Sequence, residues 1–140
     1  MSSSDGAPLR VIEISSGIAG AYCGWLLRQM GADVACLGPA LRADVGADPI
    51  TLARAFYAAD KQIISEEAVD DAFAGADLII TDDAERLVAI TGRSISEMAA
   101  AQTDTVFGVT SVFGLTGPLA DVAAVPINAQ AEAGDRKSVV

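Results

Sequence analysis

Apolar positions along this chain fall into short compact runs that alternate with stretches of helical spacing. Residues 9–14, LRVIEI, form a run suited to a buried parallel strand. From Ile18 to Met30 apolar residues recur on one helical face, through Ala19, Cys23, Leu26 or Leu27 and Met30, and Gly31 follows where a helix ends. Asp33–Leu37 predicts a second strand and residues 38–48 a loop. Asp48-Pro49 has the form of an N-cap followed by a first-turn proline. Lys61–Ser65 is the third strand, and an acidic short helix runs from Ser65 to near Gly75. Asp77–Thr81 is the fourth strand and leads into Asp82-Asp83 and another helix. Ser94-Ile95-Ser96-Glu97 fits a capping box and opens a helix through Gln102. Thr105–Ser111 is the fifth strand, leaving through VFGLTGPLAD, a loop punctuated by Gly-Pro.

Strands alternating with helices in this order predict an α/β fold, a doubly wound, mainly parallel sheet of about five strands with flanking helices. The expected organisation is a flexible tail over residues 1–8, one domain over 9–134, and a polar end over 135–140, natural or truncated. Ligands of such sheets gather outside the carboxyl ends of the strands. Ser15–Gly20, Asp82-Asp83 and Phe113–Pro118 are therefore the turns where a ligand is expected.

Composition narrows the chemistry. The 140 residues carry a net charge of −10, which disfavours nucleic acid and anionic membranes as partners and leaves any bound anion to be held by local groups. The sequence has no histidine, which excludes Ser-His-Asp and Cys-His catalysis and histidine-ligated metal within it. Cys23 and Cys36 both lie in apolar segments and are expected to be buried free thiols in a reducing cytosol. No signal-peptide core and no run of membrane-spanning length is present, so the expected location is cytoplasmic.

The first turn lacks the pattern that holds a dinucleotide. Its spacing, Gly17-x-x-Gly20-x-x-x-Gly24, differs from G-x-G-x-x-G, and the second strand ends in Leu37-Gly38 with no acid for a ribose. NAD is not expected. Gly17 sits at the turn itself as a ligand-loop candidate. Gly20 and Gly24, four apart, serve either a ligand or close packing of the helix on the sheet.

Two separated segments carry a resemblance. LRVIEISSGIAGAYCGWLLRQMGADV is similar to the N-terminal signature of the family III CoA-transferases (CaiB/BaiF type), approximately L-R-V-L-D-L-S-x-x-x-A-G-P-Y-C-x-x-x-L-A-D-L-G-A-D-V. Downstream, ADLII and VTSVFGLTGPLAD resemble that family's A-D-V-L-I and S-I-S-G-F-G-Q-T-G-P-Y-A-D, in the same order. The resemblance spans residues 9 to 134. It implies a Rossmann-like large domain that binds coenzyme A, within an interlocked homodimer. Members move CoA between carboxylic acids or epimerise 2-methylacyl-CoA thioesters. In the transferases an aspartate attacks the acyl-CoA, giving an anhydride and then an aspartyl-CoA thioester. In the racemases a histidine and an aspartate shuttle the alpha proton.

Carried onto this chain, the resemblance implies that the main chain of Gly17, Ile18 and Ala19 cradles the adenosine end of CoA. Lys61, in AADKQII, matches the lysine of the family's N-K-R-S-I segment and is expected either to meet a phosphate or to be a solvated surface lysine. The departures are chemical. Family members continue as G-P-Y-A-D-R-P-G-Y-D, whose last aspartate is the nucleophile, whereas GPLADVAAVP places Pro126 there, and a proline cannot attack a thioester. Asp121 matches a non-catalytic position, and Glu132 and Asp135 lie beyond. No catalytic residue and no metal ligand is assigned. The fourth strand leads to Thr81-Asp82-Asp83-Ala84-Glu85 instead of E-N-F-R-P-G, placing two carboxylates where an anionic cofactor would come, or capping the next helix. Gly38 stands where an acid is expected after the second strand, and of the usual arginines Arg42 is left.

Three functions follow as expectations. The chain is a CoA-transferase-like domain without its nucleophile, retaining weak CoA or acyl-CoA binding. Alternatively it is the N-terminal piece of an active transferase or racemase completed by further residues or a partner subunit. The third is a structural or interaction domain. In each, exposed apolar edges predict a homodimer or a complex with a partner CoA-transferase subunit.

Overall fold

Val11, Ile12 and Ile14 are all buried although they alternate in direction, so the strand that carries them must be covered on both faces. A computed structural model describes residues 6–37, 49–120 and 122 of the chain. Its elements are β1 (Arg10–Ile14), α1 (Ile18–Gln29), β2 (Asp33–Leu37), α2 (Pro49–Ala58), β3 (Gln62–Ile64), α3 (Val69–Phe73), β4 (Leu78–Thr81), α4 (Ala84–Thr91), α5 (Ile95–Ala101) and β5 (Val106–Val109). A short 3₁₀ turn, Glu66–Ala68, precedes α3.

The five strands form one sheet in the order β3-β2-β1-β4-β5, and every neighbouring pair is parallel. The chain steps outward from β1 to β3, then returns to the other side of β1 to add β4 and β5. The strand order therefore reverses between β1 and β4, where doubly wound sheets open a crevice at their carboxyl ends. Val11, Val34 and Ile80 are buried on the face covered by α1, joined by Ala32 and Leu27. Ile12, Ile14, Leu37 and Ile79 point to the other face, where Val69 and Phe73 of α3, Leu87 of α4 and Met98 of α5 close the larger core.

The expected elements are present, with strand ends shifted by one or two residues. Gly31 has the positive φ of +94° that follows the end of α1, and α5 opens on the capping box between Ser94 and Glu97. The loop over 38–48, with Gly38, Arg42 and Asp48, lies outside the described residues, as do Asp121, Pro126, Glu132 and Asp135.

Two expectations about α1 are corrected. Its buried face is Gly20, Ala21 and Gly24, not the line through Cys23 and Met30; Met30 is 82% exposed. Glycines let the helix approach the sheet so closely that its small residues, not its large ones, are covered. Cys36 is buried in β2 as expected, but Cys23 is exposed, being turned away from the glycine face.

The chain divides after Val109 into two compact units. In the second, Gly114 and Gly117 adopt φ of +87° and +107°. The turn after them closes with the Ala120 N–H donating to the Gly117 carbonyl at 3.2 Å.

Candidate functional site

The carboxyl ends of β1 and β4 lie side by side, since Ile14 is in register with Thr81. β1 ends at Ile14, the backbone turns through Ser15, Ser16 and Gly17, and α1 begins at Ile18. A helix beginning at such a turn directs unpaired N–H groups and the positive end of its dipole at whatever lies in front. In this chain that object is a side chain of the protein. Asp82, immediately after β4, accepts from the N–H of Ser16 at 2.9 Å, of Gly17 at 3.2 Å and of Gly20 at 2.8 Å.

The glycines are shaped around this carboxylate. A Cβ on Gly17 would stand 2.9 Å from Asp82 Oδ2, and one on Gly20 would stand 2.6 Å from Ser15 Cβ and 3.1 Å from the Asp82 carboxylate. Asp83 takes the capping role: its Oδ1 accepts from the Arg86 N–H at 2.9 Å at the start of α4. Its other oxygen accepts from the Ser16 hydroxyl at 2.5 Å. Arg86 donates in turn to the Ser15 carbonyl at 3.4 Å. The two turns are thus tied together by both aspartates and an arginine. One of the two acids caps the helix, as the sequence allowed; the other neutralises the turn.

Beneath α1 lies a second polar group. Glu13, the fourth residue of β1, is 2% exposed, and Lys61, immediately before β3, is 7% exposed. The Lys61 ammonium donates to Glu13 Oε2 at 2.5 Å and to the Ala21 carbonyl at 2.7 Å. The Ser15 hydroxyl donates to the other Glu13 oxygen at 2.5 Å. A Cβ on Gly24 would run into the Glu13 carboxylate. Gly24 therefore serves close packing, over a buried ion pair. Lys61 is not the solvated surface lysine of the alternative reading, and its ammonium is already engaged inside the molecule. Burial, together with the Glu13 charge beside it, pushes the Cys36 thiol pKa up, partly offset by the Lys61 charge.

Of the residues singled out from the sequence, Gly17, Ile18 and Ala19 lie together at the start of α1, with Ile18 and Ala19 exposed. Lys61 lies on the inner side of that helix. Glu13 was not singled out. Its signal was present, a lone acid inside the apolar run VIEI, but its partner is 48 positions away. Among the described residues, no three His, Cys, Asp or Glu side chains converge as a metal site. A cavity of about 120 Å³ opens between Arg10, Asp33 and Gln62 at the amino ends of the strands, away from these turns.

No protein-family profile matches the sequence, and no curated protein matches it. Solved structures do match the fold. Rv3272 from M. tuberculosis, in its orthorhombic form, superposes with a TM-score of 0.70 at 16% identity, over 97% of this chain and 42% of its own. A CAIB/BAIF family protein from Brucella suis superposes with a TM-score of 0.69 at 24% identity, over 93% of this chain and 39% of its own. A variant of the mycobacterial protein gives 0.69 at 18% identity, over 96% and 40%. The fold is CaiB/BaiF-like, an all-parallel α/β sheet with flanking helices, and the chain spans about two fifths of the length of these structures. No helix among the described residues is long and apolar enough to cross a membrane.

Proposed function

We propose that this chain is a CoA-transferase-like domain without transferase chemistry of its own, with only weak affinity for CoA or acyl-CoA. The observation that carries the reading is the Asp82 carboxylate seated on three amides of the β1–α1 turn. In this reading that turn, with Gly17, Ile18 and Ala19, is where the cofactor would sit, and a resident carboxylate competes with any phosphate for the same donors. Pro126 at the aligned nucleophile position supports the loss of chemistry. In this reading Lys61 holds the turn from beneath through Glu13 and Ser15 and does not touch the cofactor.

A second reading, a piece of an active enzyme completed by further residues or a partner subunit, is favoured by two observations. The chain spans about two fifths of its structural neighbours and leaves Phe56 65% and Val106 63% exposed. Isothermal titration of the 140-residue chain with CoA and acetyl-CoA, beside an assay of CoA exchange between carboxylates, tests the first reading. Millimolar binding without turnover is expected; turnover by the isolated chain, or micromolar binding, overturns the first reading.

A further inference from the structure

The outer face of α1 is apolar in a regular way. Ile18, Tyr22, Leu26 and Met30, the last at the helix C-cap, follow one another at four-residue steps, and all four are exposed. Side chains four apart on a helix form a continuous ridge, the feature that seats in the groove of a facing helix. Beside it α2 adds Leu52 and Phe56, also four apart and exposed. Trp25 and Tyr57 are half-buried where the two helices meet. Their rings join those of Tyr22 and Phe56 in one cluster, with centroids 5.3 Å apart for Tyr22 and Tyr57 and 6.2 Å for Trp25 and Phe56. Both tyrosines and the single tryptophan of the chain are gathered there.

Charge sets the same face apart. None of the chain's 19 acidic residues lies in α1 or α2, whose charged residues are Arg28 and Arg54 alone. Two chains of net charge −10 repel, and a face free of carboxylates is where they meet with least opposition. We propose that this face is a self-association surface, occupied by a second copy of the chain across a twofold axis. The α1 ridge of each copy then seats beside that of the other, so that a single patch completes itself. Tyr22 and Phe56, 43% and 65% exposed, together withdraw roughly 200 Å² per copy from water, about a quarter of what a standard interface takes from each side. Leu26, Met30 and Leu52 add to that area. The sheet edges are the competing surface, but their strands are short, three residues in β3 and four in β5. The proposal goes beyond the cofactor reading and does not depend on it.

The test is the mass of the 140-residue chain by sedimentation velocity over a wide concentration series, read together with Trp25 emission. Trp25 is the chain's one tryptophan, so its spectrum reports on this face. A two-chain mass is expected, with a blue shift of the emission over the same concentrations. Leu26→Glu, which sets a carboxylate within the ridge, is expected to weaken association at least about tenfold. Ile63→Lys, on the edge strand β3, is expected to leave association unchanged. A chain that stays single at every concentration overturns the proposal. So does a doubled mass with no change at Trp25, or one lost in Ile63→Lys and kept in Leu26→Glu, either of which moves the contact off this face. A blue shift that requires neutral phosphatidylcholine vesicles overturns it too, and makes the face a lipid-binding one. Should Leu26→Glu fail to fold by circular dichroism, Tyr22→Ser and the wild-type Trp25 titration carry the comparison.

Discussion

A lysine ammonium and a glutamate carboxylate, with side-chain exposures of 1% and 3%, share the space beneath α1. Two charges withdrawn from water are tolerable only while each has the other, so removing one is far more costly than removing both. Lys61→Met is expected to destabilise the chain by about 3–5 kcal/mol, and Glu13→Leu with Lys61→Met by less than Lys61→Met alone. Urea denaturation of both singles and the double closes the cycle, and additive losses would show the two are uncoupled. The thiols make a second residue-scale prediction. Cys23 is exposed and Cys36 is buried, with its pKa raised by burial. A maleimide at neutral pH should label the folded chain once, at Cys23, and the second thiol only after unfolding. These features were the hardest to foresee. The acid of VIEI was visible, yet nothing in its periodicity named Lys61 as the partner, because ion pairing is set by tertiary contact. The glycines were visible too, but whether they faced a ligand, a carboxylate or the sheet depended on which side of α1 turned inward.

Elements were far more legible. Buried parallel strands announce themselves as short apolar runs, and β2 was bounded to the residue because Gly31 and a polar start punctuate it. The expected ends of β3 and β5 run past the last paired positions, Ile64 opposite Leu37 and Val109 opposite Thr81, a matter of register that one strand's sequence does not carry. The capping box of α5 was read from four residues because its chemistry is local. The Ser94 hydroxyl accepts from the Glu97 N–H at 3.2 Å, and the Glu97 carboxylate accepts from the Ser94 N–H at 2.7 Å. Ser94→Ala should cost about 1 kcal/mol by thermal or urea denaturation. Glu97 is held below its ordinary value of 4.5, first by the Ser94 N–H and then by its hydroxyl. A depressed folded-state value means the carboxylate stabilises the fold fully above 4.5 and that this contribution fades as the pH falls below it. Denaturation midpoints of Glu97→Gln and wild type should therefore converge in acid and separate above that range; a constant gap would remove Glu97 from the acid response.

For the molecule as a whole, the sheet ends on β3 and β5 among the described residues, and both edges carry exposed apolar side chains, Ile63 at 55% and Val106 at 63%. Open parallel edges with such side chains invite pairing. Light scattering after size-exclusion chromatography is expected to give a mass above one chain, and a stable monomer at high concentration would count against an assembling role. The strand order has a further consequence, for synthesis. β1 is synthesised just ahead of β2 and can pair with it almost at once, but its other edge waits for Leu78–Thr81. Until then the central strand has one bare side, and the amides of Ser16, Gly17 and Gly20 have no Asp82 to meet. Pairings this distant in sequence form late, so a chain arrested before β4 emerges should behave as a sticky half-sheet and recruit chaperones, becoming protease-resistant only once the strand at its centre is flanked.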